Sequence, residues 1–168
     1  MEDTLRVLGY LTLGSRLKRL GERLQSDTQT LLTAGQIEVP VAQLPVLAVL
    51  DRLGPLNIGD IALSLGVAQP GITRTVTKLE AYGFLKSEQD DTDKRIRVVH
   101  LTGKGQRMVD EAKNNLWPDI ETAVRQACSA LEGSLLEQLS MLENALDSAS
   151  IARRVAVLQG EKADDVTI

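Results

Sequence analysis

The sequence predicts a mainly α-helical chain of the winged helix-turn-helix class, with long helices toward both ends and a two-stranded β wing. Three observations carry that prediction. Two short segments of helical apolar spacing, 58–65 and 69–82, are separated by a turn at Gly66 and closed by Gly83. A short stretch at 84–88 that can be a strand and a β-branched stretch at 95–101 then flank a charge-rich turn at 89–94. Leucines at alternating spacings of three and four run through the first helix, and helical apolar spacing returns from Val109 to Leu146.

Taken in order, residues 4–32 read as one helix whose seam holds Tyr10, Leu13, Leu17, Leu20, Leu24 and Leu31. That spacing suits packing against another helix over its whole length. Gly35 and Pro40 end it. A second helix over 41–53 tolerates Pro45 only near its first turn, and Gly54-Pro55 stops it. Asn57 caps the third helix, since its side-chain oxygen can accept from a first-turn N–H. Leu56 and Ile61 bracket that cap as a hydrophobic staple. Pro70 sits in the first turn of the fourth helix, and Gly83 ends it with positive φ. Residues 84–88 and 95–101 form the hairpin strands. Thr102 caps a long helix, 104–128, which Pro118 interrupts or kinks. A further helix covers 131–148. The stretch 149–168 is polar and acidic with little to bury, so this tail is expected to fray.

Composition narrows the function classes. At 168 residues, with 43% hydrophobic and 25% charged residues, the chain has the balance of one soluble globular domain. Its aromatic inventory is Tyr10, Tyr82, Phe84 and Trp117, too few for the stacking platforms of single-stranded nucleic-acid binders. One cysteine, Cys128, excludes an intramolecular disulfide and suits a reducing compartment. Glu2 and Asp3 open the chain and no apolar run reaches the roughly 18 residues of a membrane span, so a cytoplasmic location is expected. The net charge of −4 hides an asymmetry. Residues 68–107 hold eight Lys/Arg against five Asp/Glu, or +3, leaving eleven against eighteen, or −7, elsewhere. A basic segment inside an acidic protein is what a localised phosphate-facing surface looks like.

The fourth helix and the hairpin carry the candidate residues. Ile72, Val76 and Leu79 share one face by i, i+4, i+7 spacing and should bury. Arg74 and Thr77 point away from that face, with Thr73 and Lys78 beside them and Gln69 at the helix start. A major groove admits one α-helix, in which Gln69 can pair with adenine and Arg74 with guanine, while Thr73, Thr77 and Lys78 suit phosphates or a thymine methyl. A polar outer face is also what any surface helix shows. The hairpin tip decides between the two: Lys94, Arg95 and Arg97 cluster beside Asp93. Long cations on a thin hairpin can enter a minor groove, and an acid two residues before Arg95 can brace the tip. A solvated charge run is common on turns, but a basic hairpin directly after a helix-turn-helix is much less so.

Residues 56–105 resemble the MarR family of regulators. The resemblance lies in Ile61-Ala62, Leu65-Gly66-Val67, Thr73-Arg74, Leu79-Glu80 and Gly83-Phe84-Leu85. The wing stretch Asp90-Asp91-Thr92-Asp93-Lys94-Arg95 and the closing Leu101-Thr102-Gly103-Lys104-Gly105 complete it, and the flanking helices extend it to about residues 4–148. It implies a dimeric regulator, most simply a repressor, on a pseudo-palindromic double-stranded DNA operator, with a small-molecule effector as a further partner. It also implies a dimerisation region over 1–35 and 104–148 and a DNA-binding domain over 36–103. Carried over by position, Thr73 and Arg74 match the recognition-helix pair, and Asp93 and Arg95 the wing acid and arginine. Two departures stand out. Ala68 replaces a frequent serine cap, and Asp91 replaces a frequent proline, which adds negative charge near DNA.

Other classes fit less well. His100 reads as a strand residue and Cys128 as a small thiol within an apolar stripe; together they are too few for a Cys/His zinc site. No phosphate-cradling glycine loop or acid–base carboxylate pair stands out, so neither catalysis nor a cofactor is expected. A winged helix serving only as a protein-interaction adapter is the nearer rival. Arg16, Arg19 and Arg23 form a second basic stripe that is solvated, pairs with acids of a partner subunit or receives an anionic effector near the dimer junction. Tyr10 and Trp117 are candidates for lining an effector pocket.

Overall fold

The structure, a computed structural model, describes residues 1–35, 37, 39–89 and 97–164. The chain forms two compact units, Met1–Ile120 and Glu121–Ile168.

In the first unit the expected opening helix is broken. A single turn, α1 (Thr4–Val7), leads into a 3-10 turn over Gly9–Thr12, and the long helix α2 runs Leu13–Ala34. The break has a local cause: Gly9 sits at φ 56, and the Thr12 hydroxyl donates to the Leu5 carbonyl at 2.8 Å, folding the chain back before α2 starts. Tyr10 consequently leaves the seam and stands in solvent. Asp3 clamps Arg19 through both carboxylate oxygens, at 2.9 and 3.1 Å, so part of the expected basic stripe is paired within the chain. That contact lowers the Asp3 pKa and raises that of Arg19. Leu17, Leu20, Leu24 and Leu31 remain exposed along α2.

A 3-10 turn over Val41–Gln43 leads into α3 (Leu44–Leu53), with Pro45 in the first turn as expected. Leu56–Asn57 form a short strand, β1; α4 spans Ile58–Leu65 and α5 spans Gln69–Ala81. The Asn57 side chain caps α4 by accepting from the Asp60 N–H at 2.9 Å. Gly66 closes α4 in the left-handed region at φ 64. The strands β2 (Leu85–Gln89) and β3 (Arg97–Leu101) pair antiparallel with Ser87 opposite Val99. The expected two-stranded wing is therefore part of a three-stranded sheet, ordered β1-β3-β2, in which Leu56 faces Val99. Two residues are too few to show a period, and Leu56 combines its staple position with a sheet pairing.

Helix α6 (Gly103–Glu111) begins where predicted, capped by the Thr102 hydroxyl accepting from the Gly105 N–H. It passes through a π turn at Ala112–Leu116 into α7 (Trp117–Ala127). This is the predicted interruption near Pro118. A proline ring crowds the carbonyl four residues earlier, and widening the preceding turn relieves it. The core of the unit gathers Leu32 and Val39 with Leu47, Ile61, Val76, Leu79, Val99 and Val109, all essentially solvent-free. Asp51 on α3 accepts from Lys113 at 2.7 Å and from Gln106 at 2.9 Å, fastening α3 to α6 and its π turn.

The second unit holds the rest of α7, then α8 (Leu135–Ser148) and α9 (Ile151–Asp164). Helix α8 starts four residues later than expected, because Gly133 turns at φ 74 and Ser134 caps the helix through the Glu137 N–H. The tail expected to fray is instead helical over Ile151–Asp164. Ser150 accepts from the Arg153 N–H, and Arg154 donates to the Ala149 carbonyl at 3.0 Å, satisfying groups that would otherwise loosen both helix ends. Ile151, Val155 and Leu158 leave an apolar stripe exposed on α9. Cys128, expected to be a small buried thiol, is only half-buried, in the turn after α7. Among the described residues no helix is long and apolar enough to cross a membrane.

Candidate nucleic-acid interface

Helix α5 takes its orientation from its apolar face. Ile72, Val76 and Leu79 are buried, at roughly 1.5–3 kcal/mol each, enough to fix the helix against α4 and the sheet. Because a helix turns about 100° per residue, Arg74 stands opposite that buried face with Lys78 beside it, while Gln69, Thr73 and Thr77 line one flank. All five are exposed. Thirteen residues make a rod of about 20 Å, the size that enters a major groove.

Two polar side chains on this face are held in place. The Thr73 hydroxyl donates to the Gln69 carbonyl at 3.1 Å and that of Thr77 to the Thr73 carbonyl at 2.9 Å. Arg74 donates through Nε to the Pro70 carbonyl at 3.3 Å, and among the described residues its terminal nitrogens have no hydrogen-bond partner and so can meet a base edge. No ion pair to Arg74 or Lys78 occurs among the described residues. Ala68 at the N-cap provides no side-chain bond to the first turn, where Pro70 has no N–H and the Gly71 N–H bonds the Ala68 carbonyl at 3.0 Å.

On the wing, Arg97 is exposed at the start of β3, paired with Gln89. Asp93, Lys94 and Arg95 lie outside the described residues. The base of the hairpin is fixed by contacts that the sequence did not reveal. The Thr102 hydroxyl donates to the Gly83 carbonyl at 2.7 Å, and the Thr102 N–H bonds the Phe84 carbonyl at 3.0 Å. Lys104 donates to the Tyr82 carbonyl at 3.0 Å and lies over the Phe84 ring, 4.3 Å from its centre. Thr102 was visible as a cap, but its span of nineteen residues back to Gly83 follows no local period. On the outer face of the sheet, Lys86 pairs with Glu88 at 2.6 Å and lowers the Glu88 pKa. His100 lies 3.8 Å from the same carboxylate and is partly exposed in its strand.

The comparisons with known proteins agree with this geometry. The model for the MarR family matches residues 39–96. The HTH-type transcriptional regulator YkoM of Bacillus subtilis is 34% identical over 97 residues, 58% of this chain and 60% of that protein. The chain thus spans less than two thirds of that relative. YwoH, of the same organism and likewise named an HTH-type transcriptional regulator, is 30% identical over 104 residues, 58% of this chain and 75% of that one. Among solved structures, a mutant of MarR from E. coli, complexed with operator DNA, superposes with a TM-score of 0.67. That match covers 88% of this chain and 98% of the other at 18% identity, a likeness of fold.

Proposed function

Since the chain belongs to the MarR family, we propose that it is a dimeric, sequence-specific regulator of transcription that binds double-stranded DNA. In this reading α5 lies in the major groove and the wing, residues 89–97, in the flanking minor groove. The observation that carries it is the outward face of α5, where Arg74 and Lys78 stand opposite the buried stripe with no acid paired to them among the described residues. Gln69 and Arg74 read base edges, Thr73, Thr77 and Lys78 hold phosphates or a thymine methyl, and Lys94, Arg95 and Arg97 serve the minor groove, with Asp93 bracing the tip. The operator complex of the similar E. coli protein supports the reading.

Dimerisation accounts for the apolar surface that one copy leaves in water. Leu17, Leu20 and Leu24 on α2, and Leu135 and Leu146 on α8, are partly to half exposed, and covering them with a second copy removes that cost. We assign residues 1–35 and 104–148 to this contact and residues 36–103 to DNA. A two-fold dimer calls for a pseudo-palindromic operator. A repressor released by a small-molecule effector fits a cleft of about 330 Å³ in the first unit, lined by Gly35, Ile37, Phe84 and Met108 with the charged Lys104, Arg107 and Glu111. The effector reading does not use Tyr10, which stands in solvent. The function needs no catalysis and no cofactor, and it places the protein in the cytoplasm with DNA.

Selection of duplexes from a randomised library by the purified protein tests the proposal. The expected product is a pseudo-palindrome with half-sites about one helical turn apart. An adapter that only contacts proteins would enrich no motif and would show no salt-dependent affinity for random duplex DNA.

A further inference from the structure

One acid sits on α5, and its position is not that of a solvated surface residue. Gln69, Thr73, Thr77 and Glu80 form a single stripe along the helix, at spacings of four, four and three. Its first three residues are on the flank assigned to DNA. A free carboxylate at its end would repel phosphates. Instead Glu80 is half-buried, and the Ser87 hydroxyl donates to its Oε1 at 2.5 Å. Ser87 is in the middle of β2, opposite Val99. By strand alternation it shares a face with buried Leu85, while Lys86 and Glu88 lie on the other.

We propose that Glu80 and Ser87 are positioning residues that set the wing against the recognition helix. The inference rests on the DNA-binding reading above and adds a specificity device to it. Among the described residues, the other side-chain bonds near the end of α5 are at the base of the hairpin, where Thr102 bonds Gly83 and Lys104 bonds Tyr82. The β1 pairing at Val98 and Val99 holds the sheet from the α4 side. The bond at Ser87, opposite Val99, holds the same level of the sheet to α5 itself, two residues, about 7 Å, from Gln89, the partner of Arg97. It therefore fixes the angle between the recognition helix and the strand that carries Arg97. A hydrogen bond to a carboxylate is among the stronger kinds, and partial burial shields this one from competing water.

The test uses the full-length protein and the duplex that it selects, with A·T-rich and G·C-rich flanks, at one salt concentration. The variants are Glu80→Ala, Ser87→Ala, their double and Glu80→Gln, each with its melting temperature recorded. Either alanine variant should weaken binding about three- to tenfold, the scale of one charge-assisted hydrogen bond partly felt at the interface. Each should lose the preference between flanks while keeping the base preferences within the half-site. The double should be no worse than either single, because both remove the same bond. Glu80→Gln, whose amide oxygen can still accept, should retain most of the affinity. Arg97→Ala should cost less in the Ser87→Ala background than in the native one.

Native affinity and flank preference in both alanine variants would overturn the inference. So would a uniform loss that tracks the fraction unfolded and leaves flank preference intact, or single effects that simply add. If the native protein selects no duplex at all, the DNA-binding reading fails and takes this inference with it. Native binding with indifferent variants overturns the positioning role alone.

Discussion

Gly105→Ala sets two physical effects against each other. Gly105 is the third residue of α6, buried, with its N–H bonded to the Thr102 hydroxyl at 3.0 Å. Alanine is the better helix former by about 1 kcal/mol, so propensity alone predicts a gain. A β-carbon here, however, would lie 2.2 Å from the Phe84 carbonyl oxygen and 3.2 Å from Leu101 Cδ2. Reaching ordinary contact requires α6 to withdraw by about 1 Å, and backbone atoms on both sides leave little room for it. Such a shift breaks the bond from the Thr102 N–H to the same Phe84 carbonyl, now 3.0 Å long. Overpacking costs about 1–3 kcal/mol and the lost bond about 1, so after the propensity gain the net is a destabilisation of about 1–3 kcal/mol. For a chain of this length that lowers Tm by about 2–12 °C. Urea unfolding at one fixed protein concentration measures it, the concentration being held because dimerisation couples to folding. The expected result is a lower midpoint at unchanged slope. Gly103→Ala is the control: its β-carbon meets only Arg107 Nη1, at 3.5 Å, and should cost nothing. A Gly105→Ala variant as stable as the native protein would refute the reasoning.

Leu17→Asp should dissociate or unfold the protein at micromolar concentration, because it places a charge in the proposed subunit seam; native-like sedimentation of the variant would contradict that assignment. Asp51 has a pKa below the usual carboxylate value because Lys113, then Gln106, hydrogen-bonds its ionised form. The stabilisation from that shift is fully present above the unfolded pKa of about 4 and is lost as pH falls through the lower folded value. Asp51→Asn should therefore be less stable than the native protein at pH 7, with the gap closing below about pH 4. An unchanged gap at pH 3 and pH 7 would show that the Lys113 contact contributes nothing through this titration.

The helix-turn-helix was legible because each boundary had its own local signal. Asn57, Gly66 and Gly83 mark ends that any chain with those residues would favour, and the buried triad Ile72, Val76 and Leu79 follows from spacing alone. What escaped notice depended on partners distant in sequence. The two-residue strand at Leu56 exists only because Val99 lies opposite it. The fold-back before α2 turns on Gly9 and a Thr12 bond to Leu5, inside a leucine pattern regular enough to suggest one unbroken helix. Helix α9 carries Ile151, Val155 and Leu158 at helical spacing, but its start is fixed by side-chain bonds of Ser150 and Arg154, and the stripe stays exposed rather than joining a packed core. At the interface, the exposure of Gln69, Thr73, Arg74, Thr77 and Lys78 could be read from periodicity. The anchors behind the wing, Thr102 to Gly83 and Ser87 to Glu80, could not, because side-chain bonds across elements leave no period in a sequence.

The central claim is that Arg74 reads a base edge of double-stranded DNA. The measurement is a titration of the native protein and of Arg74→Ala against the selected duplex and against copies changed at single half-site positions, at two salt concentrations. The account predicts that Arg74→Ala weakens binding by about 1–3 kcal/mol per contact and abolishes discrimination at one position in each half-site. The native affinity should fall steeply between the two salts, since phosphate contacts release counterions. Equal binding of the two proteins to every duplex would contradict the account, as would an affinity indifferent to salt.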